Sequence, residues 1–79
     1  MEQLVRYIVE QLVNNKEQVE ISSKEDEKNI TVISVLVDKD DIGRVIGKSG
    51  KVAQSIRSIV KTASNKTNKR YVVKFAERA

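Results

Sequence analysis

The spacing of apolar residues along the chain predicts two amphipathic helices. In residues 2–14 apolar side chains recur every three to four positions, as they do on one face of a helix. Residues 51–64 follow the same rule within an arc of about 100°, so we expect that face to pack wholly into the core. The apolar positions of the two segments are Leu4, Val5, Ile8, Val9, Leu12, Val13, then Val52, Ile56, Ile59, Val60 and Ala63.

The first helix has the wider apolar arc, which sweeps about 180° around the helix axis. Val5, Val9 and Val13 lie toward one edge of it. Two interpretations stay open: the sheet and the last strand cover the whole arc, or part of it contacts a partner.

Shorter patterns predict three strands. Residues 18–23 alternate apolar and polar side chains, and the charged segment 24–29 would join them as a hairpin to residues 30–37. The second segment is β-branched and nearly all apolar, which indicates a strand covered on more than one side. Residues 71–75 predict a third strand, with Tyr71 and Phe75 packed against a helix.

A short helix over 40–46 completes the order α-β-β-α-α-β. Asp38, Asp40 and Asp41 precede it and suit a helix cap and first turn. We therefore expect an α+β fold in which a three-stranded sheet packs against helices.

Composition excludes most kinds of chemistry. The chain has 79 residues, 39% of them hydrophobic, so we expect one small domain over residues 1–79. It has no Cys and no His, which removes disulfides, thiolate nucleophiles, zinc sites and imidazole acid–base chemistry. We expect no enzymatic activity, no cofactor and no metal. Polar residues follow Met1 and no apolar run approaches a membrane span, which predicts a cytoplasmic protein.

The charge is divided unevenly along the chain. Residues 1–40 contain five Lys or Arg and nine Asp or Glu, whereas residues 41–79 contain ten and two. The balances of −4 and +8 give the net charge of +4. A basic half is typical of nucleic-acid binding, although any one of its charges is commonly only solvated. The cations that would extend a basic surface along the long helix and beyond it are Arg57, Lys61, Lys66, Lys69 and Arg70.

The basic half begins at a glycine-containing segment, residues 42–50. It resembles a nucleotide-binding P-loop, but only three residues separate Gly43 from Gly47-Lys48-Ser49 where that motif needs four. The motif also follows a strand, and this segment follows a predicted helix. A second interpretation is a tight turn between two helices, in which the glycines are present only for steric reasons. The third is a phosphate-binding loop, in which glycines let a backbone approach and a following helix favours negative charge.

Ile46-Gly47-Lys48-Ser49-Gly50 between two helices, together with the element order, resembles the KH-domain family in its prokaryotic type II form. The longer run 41–50 is similar to that of small stand-alone bacterial KH proteins. The resemblance covers essentially the whole chain. It implies a groove for about four nucleotides of single-stranded RNA, with the short helix and glycine loop as one wall and a strand with the hairpin loop as the other. The residues it assigns to RNA are Ile42, Gly43, Arg44, Ile46, Gly47, Lys48, Ser49, Gly50 and Lys51.

Within that groove we expect the loop to clamp the sugar–phosphate backbone, with donors from the N–H groups of 49–51 and charge from Lys48. Bases would meet an aliphatic floor that includes Ile42. Only three aromatic residues are present, too few for a platform on which bases stack. The small groove predicts weak binding by one copy, so useful affinity needs a second.

The resemblance also implies partners: a second copy, or a second, larger KH-containing RNA-binding protein. It favours a role in post-transcriptional regulation or as an RNA chaperone. The alternative function is an interaction subunit that modulates a partner protein and for which RNA contact is secondary.

Overall fold

The computed structural model describes residues 1–78 and has the predicted element order. Two single turns of 3-10 helix, Lys16–Gln18 and Lys48–Gly50, lie between the main elements. The helices and strands are α1 (Glu2–Leu12), β1 (Glu20–Glu25), β2 (Ile30–Val37), α2 (Ile42–Ile46), α3 (Lys51–Ser64) and β3 (Arg70–Glu77).

The three strands form one mixed sheet in the order β1-β2-β3. β1 and β2 are antiparallel, with Glu25 opposite Thr31 beside the turn. The turn is built by Asp26, whose carboxylate accepts hydrogen bonds from the backbone N–H groups of Lys28 and Ile30 at 2.8 and 3.0 Å. β3 is parallel to β2, from Ile30 opposite Arg70 to Val37 opposite Glu77. The crossover between them consists of α2 and α3.

The helices cover one face of this sheet. Ile33, Val35 and Val37 of β2 are buried there, and Tyr71 and Phe75 of β3 pack against the same core, as predicted for the two aromatic residues. The alternate side chains of β2 are only half-buried. The expectation that β2 is covered on more than one side was therefore wrong, because all three helices lie on one side of a sheet whose other face is open.

The edge of the α1 apolar arc that was a candidate contact for a partner is buried within this chain. Val5 and Val9 are fully buried and Val13 is 6% exposed, so this chain's own core covers them. The long helix differs from prediction in the opposite direction. Ile59 was expected in the core but is 45% exposed, because it lies at the margin of the stripe through which Ile56 and Val60 face the sheet.

The buried carboxylate of Asp41 joins the end of α1 to the start of α2. Its two oxygens accept hydrogen bonds from the backbone N–H groups of Asn14 and Asn15 at 3.1 and 3.0 Å, and from the Asn15 side-chain amide at 3.1 Å. The Nε of Arg44 lies 3.4 Å from Oδ1. Asp41 is at the N-cap position of α2, as predicted, but its side chain does not bond the first turn of that helix. It binds the chain where α1 ends instead.

These contacts set the pKa of Asp41. Burial raises it, but the hydrogen bonds from Asn15 and Asn14 and the charge of Arg44 outweigh that effect and bring the pKa below its ordinary value of 3.8.

Among residues 1–78, no helix has the length and apolar character needed to cross a membrane.

Asp41 therefore predicts a specific acid sensitivity. Because its pKa is lower in the folded chain, the unfolded chain binds its proton more readily. The stabilisation is complete above pH 3.8 and is lost as the pH falls through the lowered pKa. We expect Asp41→Asn to lower the melting temperature at pH 7 by several degrees, and the deficit to shrink as the pH falls below 3.8. Thermal unfolding followed by circular dichroism measures both effects. Asp40→Asn, at an exposed neighbour, is the matched control; a deficit independent of pH would contradict the assignment.

Candidate nucleic-acid interface

The chain between α2 and α3 turns through three residues with positive φ. Gly47 has φ 77° and ψ 173°, Ser49 has φ 58° and ψ 26°, and Gly50 has φ 74° and ψ 12°. The Gly47 N–H donates to the Gly43 carbonyl at 2.9 Å and the Gly50 N–H to the Gly47 carbonyl at 3.2 Å. The sequence from Gly47 to Gly50 is thus a closed turn that ends one helix and starts the next.

The three glycines meet different requirements. A Cβ on Gly47 would overlap with the Val52 side chain and lie 2.9 Å from the Val52 backbone nitrogen, so this position has no room for one. Gly50 has open space around it but a left-handed backbone that favours glycine. Gly43 has neither restriction, since a Cβ there would meet nothing within 4 Å and its backbone is helical. The folded chain itself does not require glycine at this third position.

Lys48 and Ser49 form the exposed tip of the turn, and Lys51 follows at the start of α3. Within residues 1–78 neither lysine has an ion-pair partner. The expectation that the N–H groups of 49–51 are all free donors was wrong for two of them. The turn itself uses those of Gly50 and Lys51, bonded to the carbonyls of Gly47 and Lys48. The side chains of Lys48 and Ser49 therefore offer the accessible polar groups.

The side chains of α2 divide between this surface and the core. Val45 is fully buried, whereas Ile42 and Ile46 are half-buried and pack against the core with part of their surface exposed. The Arg44 side chain is 54% exposed while its Nε faces Asp41. The nine predicted site residues thus lie together along α2, the turn and the first residue of α3.

The strand beside these helices is β3, which contacts both α2 and α3. β3 lies at one edge of the sheet and β1 at the other, with β2 between them. The resemblance implied a strand and the hairpin loop as the second wall. The strand next to the helices that flank the glycine turn is β3, and the hairpin turn lies beside its beginning, where Ile30 is opposite Arg70.

Arg57 connects α3 to that edge strand. Its Nε donates to the Val73 carbonyl at 3.2 Å, and its guanidinium carbon lies 5.5 Å from the centre of the Phe75 ring. The sequence offered Arg57 only as one of several surface cations. Its contact pairs residues 16 positions apart, for which helical or strand periodicity gives no signal. Asp41 carried a weak signal, its position three residues before Arg44.

Residues 1–78 contain no group of three or more acidic side chains placed to hold a metal ion. The arrangement offers cations, one hydroxyl, half-buried aliphatic side chains and a strand edge. Such groups can bind a chain of phosphates and bases without performing a chemical step.

Comparison with known proteins agrees with this geometry. The profile described as "KhpA/KhpB, KH domain" matches residues 2–75. The chain is 39% identical over 75 residues to the RNA-binding protein KhpA of Clostridium acetobutylicum, covering 95% of this chain and 99% of that one. It is 38% identical over 77 residues to the RNA-binding protein KhpA of Listeria monocytogenes, covering 98% of this chain and 100% of the relative.

Among solved structures, Aquifex aeolicus Era bound to GDP·AlF4⁻ superposes with a TM-score of 0.60 at 18% identity. A second structure, of Era in complex with MgGDPNP and nucleotides 1506–1542 of 16S ribosomal RNA, gives the same values. The match covers 96% of this chain and 29% of the Era chain in each case, so the likeness is one of fold. By the profile match and the curated relatives, this chain belongs to the KhpA/KhpB family of KH-domain proteins.

Proposed function

We propose that this protein binds single-stranded RNA in the cytoplasm, with residues 1–79 acting as a single KH domain. The observation that carries the proposal is the exposed pair Lys48 and Ser49 at the tip of a turn whose backbone is fixed by Gly47 and Gly50. The names of the curated relatives, RNA-binding protein KhpA, support the same ligand.

The turn acts as a phosphate clamp. Lys48 supplies charge and a donor, Ser49 supplies a hydroxyl, and Lys51 and Arg44 stand at the two sides. Because Asp41 holds the Arg44 Nε, the remaining guanidinium N–H groups are the ones that reach a phosphate. Contacts of this kind set affinity and position the strand but carry no base specificity.

Bases lie between α2 and the edge of β3. The exposed parts of Ile42 and Ile46 provide apolar contact, and the open edge of β3 provides backbone donors and acceptors. Arg57 contributes from α3, although its Nε is occupied by Val73. With so few nucleotides held, one copy binds weakly, which suits a role in post-transcriptional regulation or RNA chaperoning.

A second copy, or a second KH-containing protein, would supply the missing affinity by avidity. The buried residues Val5 and Val9 of α1, and Val13 just after it, cannot make that contact. The exposed large apolar side chains of the described chain are Tyr7, Ile59 and Val72.

The clamp is tested by Lys48→Asp/Ser49→Asp. The two substitutions remove the proposed phosphate contacts and make the charge of the loop more negative by three units. We therefore expect RNA affinity to fall about tenfold or more. Fluorescence anisotropy with short single-stranded RNA pools at two salt concentrations measures the loss, and circular dichroism checks the fold.

The matched control is Ser22→Asp/Lys24→Asp, which makes the same change of charge at exposed positions of β1. Equal losses of RNA affinity in the two variants would show that the loss follows from net charge and not from the glycine turn. Binding of the clamp variant equal to the wild type would instead favour the interaction-subunit function.

Gly43→Ala separates stability from binding. Nothing in the folded chain fills the space next to Gly43, so alanine should stabilise α2 by about 0.5–1 kcal/mol. A methyl group on the surface that RNA approaches should weaken binding several-fold. Urea unfolding and RNA titration of the same preparation measure the two effects. A more stable protein with unchanged affinity would remove Gly43 from the interface.

Self-association is tested by sedimentation velocity across micromolar concentrations. A dimer is expected, because two grooves raise the effective affinity for one RNA strand. A monomer throughout that range would leave only a different protein as the partner.

A further inference from the structure

A second concave site lies at the other end of α3. It is formed by the C-terminal half of α3, residues 65–69 and the beginning of β3, and has a volume of about 710 Å³. That volume falls within the range of small-ligand sites, roughly 300–1,000 Å³. Four cations line the cavity and no acidic residue does; they are Arg57, Lys61, Lys69 and Arg70.

The segment that closes this cavity is held by its own hydrogen bonds. The Ser64 hydroxyl donates to the Lys61 carbonyl at 2.9 Å, and the Thr67 hydroxyl donates to the Ser64 carbonyl at 3.0 Å. The Lys69 N–H in turn donates to Thr67 Oγ1 at 3.3 Å. The hydroxyl groups thus serve the shape of the segment, and the cationic heads remain for a ligand.

The cations of the cavity are accessible. Lys61, Lys69 and Arg70 are exposed, and none of them has an ion-pair partner among residues 1–78. Beside them the lining offers apolar surface from Tyr71 and Val72 and side-chain amides from Asn65 and Asn68. Tyr71 is half-buried against the core, so its ring is a fixed surface. A charged phosphate and a flat base find complementary groups at one place.

The cavity borders the same two elements as the RNA interface, α3 and β3. Lys61 follows Lys51 by ten positions, which places it about 15 Å further along the helix axis. Arg57 lies between them and belongs to both surfaces through Val73 and Phe75. A strand clamped at Gly47–Gly50 that follows the edge of β3 toward its beginning therefore reaches the cavity.

We propose that this cavity binds a further nucleotide of the same RNA strand, outside the groove of about four nucleotides. Its phosphate lies among Lys61, Lys69 and Arg70, and its base lies against Tyr71. The protein then has an RNA site longer than the KH groove alone. This inference rests on the proposed function. A free mononucleotide offers the same chemistry, and the experiment separates the two.

The test compares RNA pools of about four and about ten nucleotides on Lys69→Gln/Arg70→Gln. These substitutions remove two cations, and neither side chain makes a hydrogen bond within residues 1–78. The control, Lys24→Gln/Lys28→Gln, removes two exposed cations near the hairpin. We expect the wild type and the control to bind the longer pool about tenfold more tightly than the shorter one.

The cavity variant should bind the shorter pool as tightly as the wild type does. It should lose most of the gain, which is the tighter binding of the longer pool relative to the shorter one. Its salt dependence on the longer pool should also fall, by a slope of about 0.7 for each phosphate that the protein no longer neutralises. Adenosine monophosphate at micromolar concentrations should not abolish the gain.

Three results would overturn the proposal. In the first, the cavity variant keeps the full gain for the longer pool. In the second, the wild type binds both pools equally well. In the third, the variant loses affinity for both pools by the same factor. The last would make the cavity part of the short groove. Tight binding of adenosine monophosphate that the variant abolishes, with the gain for long RNA intact, would identify a free mononucleotide as the ligand. Failure of the proposed function shows separately, as wild type that binds neither pool.

Discussion

The structure depends on one buried carboxylate. Asp41 is 1% exposed and accepts hydrogen bonds from Asn14 and Asn15 just after α1, while Arg44 lies against it from α2. A buried charge is costly unless it is paired and hydrogen-bonded. Here the segment after α1 supplies the hydrogen bonds and α2 supplies the opposite charge. Those contacts fix α2, and hence the glycine turn that follows it, relative to the sheet that α1 covers.

That connection fixes the backbone of the proposed RNA interface. The turn between α2 and α3 is only four residues long, and Gly47 is packed against Val52 so closely that no side chain fits. Lys48 and Ser49 are presented by a backbone already in its final shape. A ligand therefore meets a positioned backbone and has only exposed side chains to order, which reduces the entropy cost of binding.

The sequence predicted the elements best where a regular pattern runs through the core. The bounds of β2 and α3 were predicted to the residue. β2 is a nearly unbroken run of β-branched and apolar residues, and the Val and Ile residues of α3 recur at the helical period. The end of α1 was placed two residues too late, because Asn14 and Asn15 turn away to bind Asp41. β3 is longer than the predicted 71–75 because parallel pairing with β2 continues to Glu77. The element order followed from these hydrophobic patterns, and the grouping of the nine candidate residues followed from the glycine motif. The second wall of the interface and the contacts of Arg57 depend on which strand lies at the sheet edge, which no local pattern determines.

The edge position of β3 has a further consequence for the behaviour of the molecule at high concentration. An unpaired strand edge is a template on which another chain can add a strand and begin to aggregate. The proposed RNA interface needs that edge open to bases, so a fourth strand cannot cover it. Arg57 already occupies the Val73 carbonyl from the side, and Lys74 places a charge on the same strand. The guanidinium thereby interrupts the row of acceptors that an incoming strand would need.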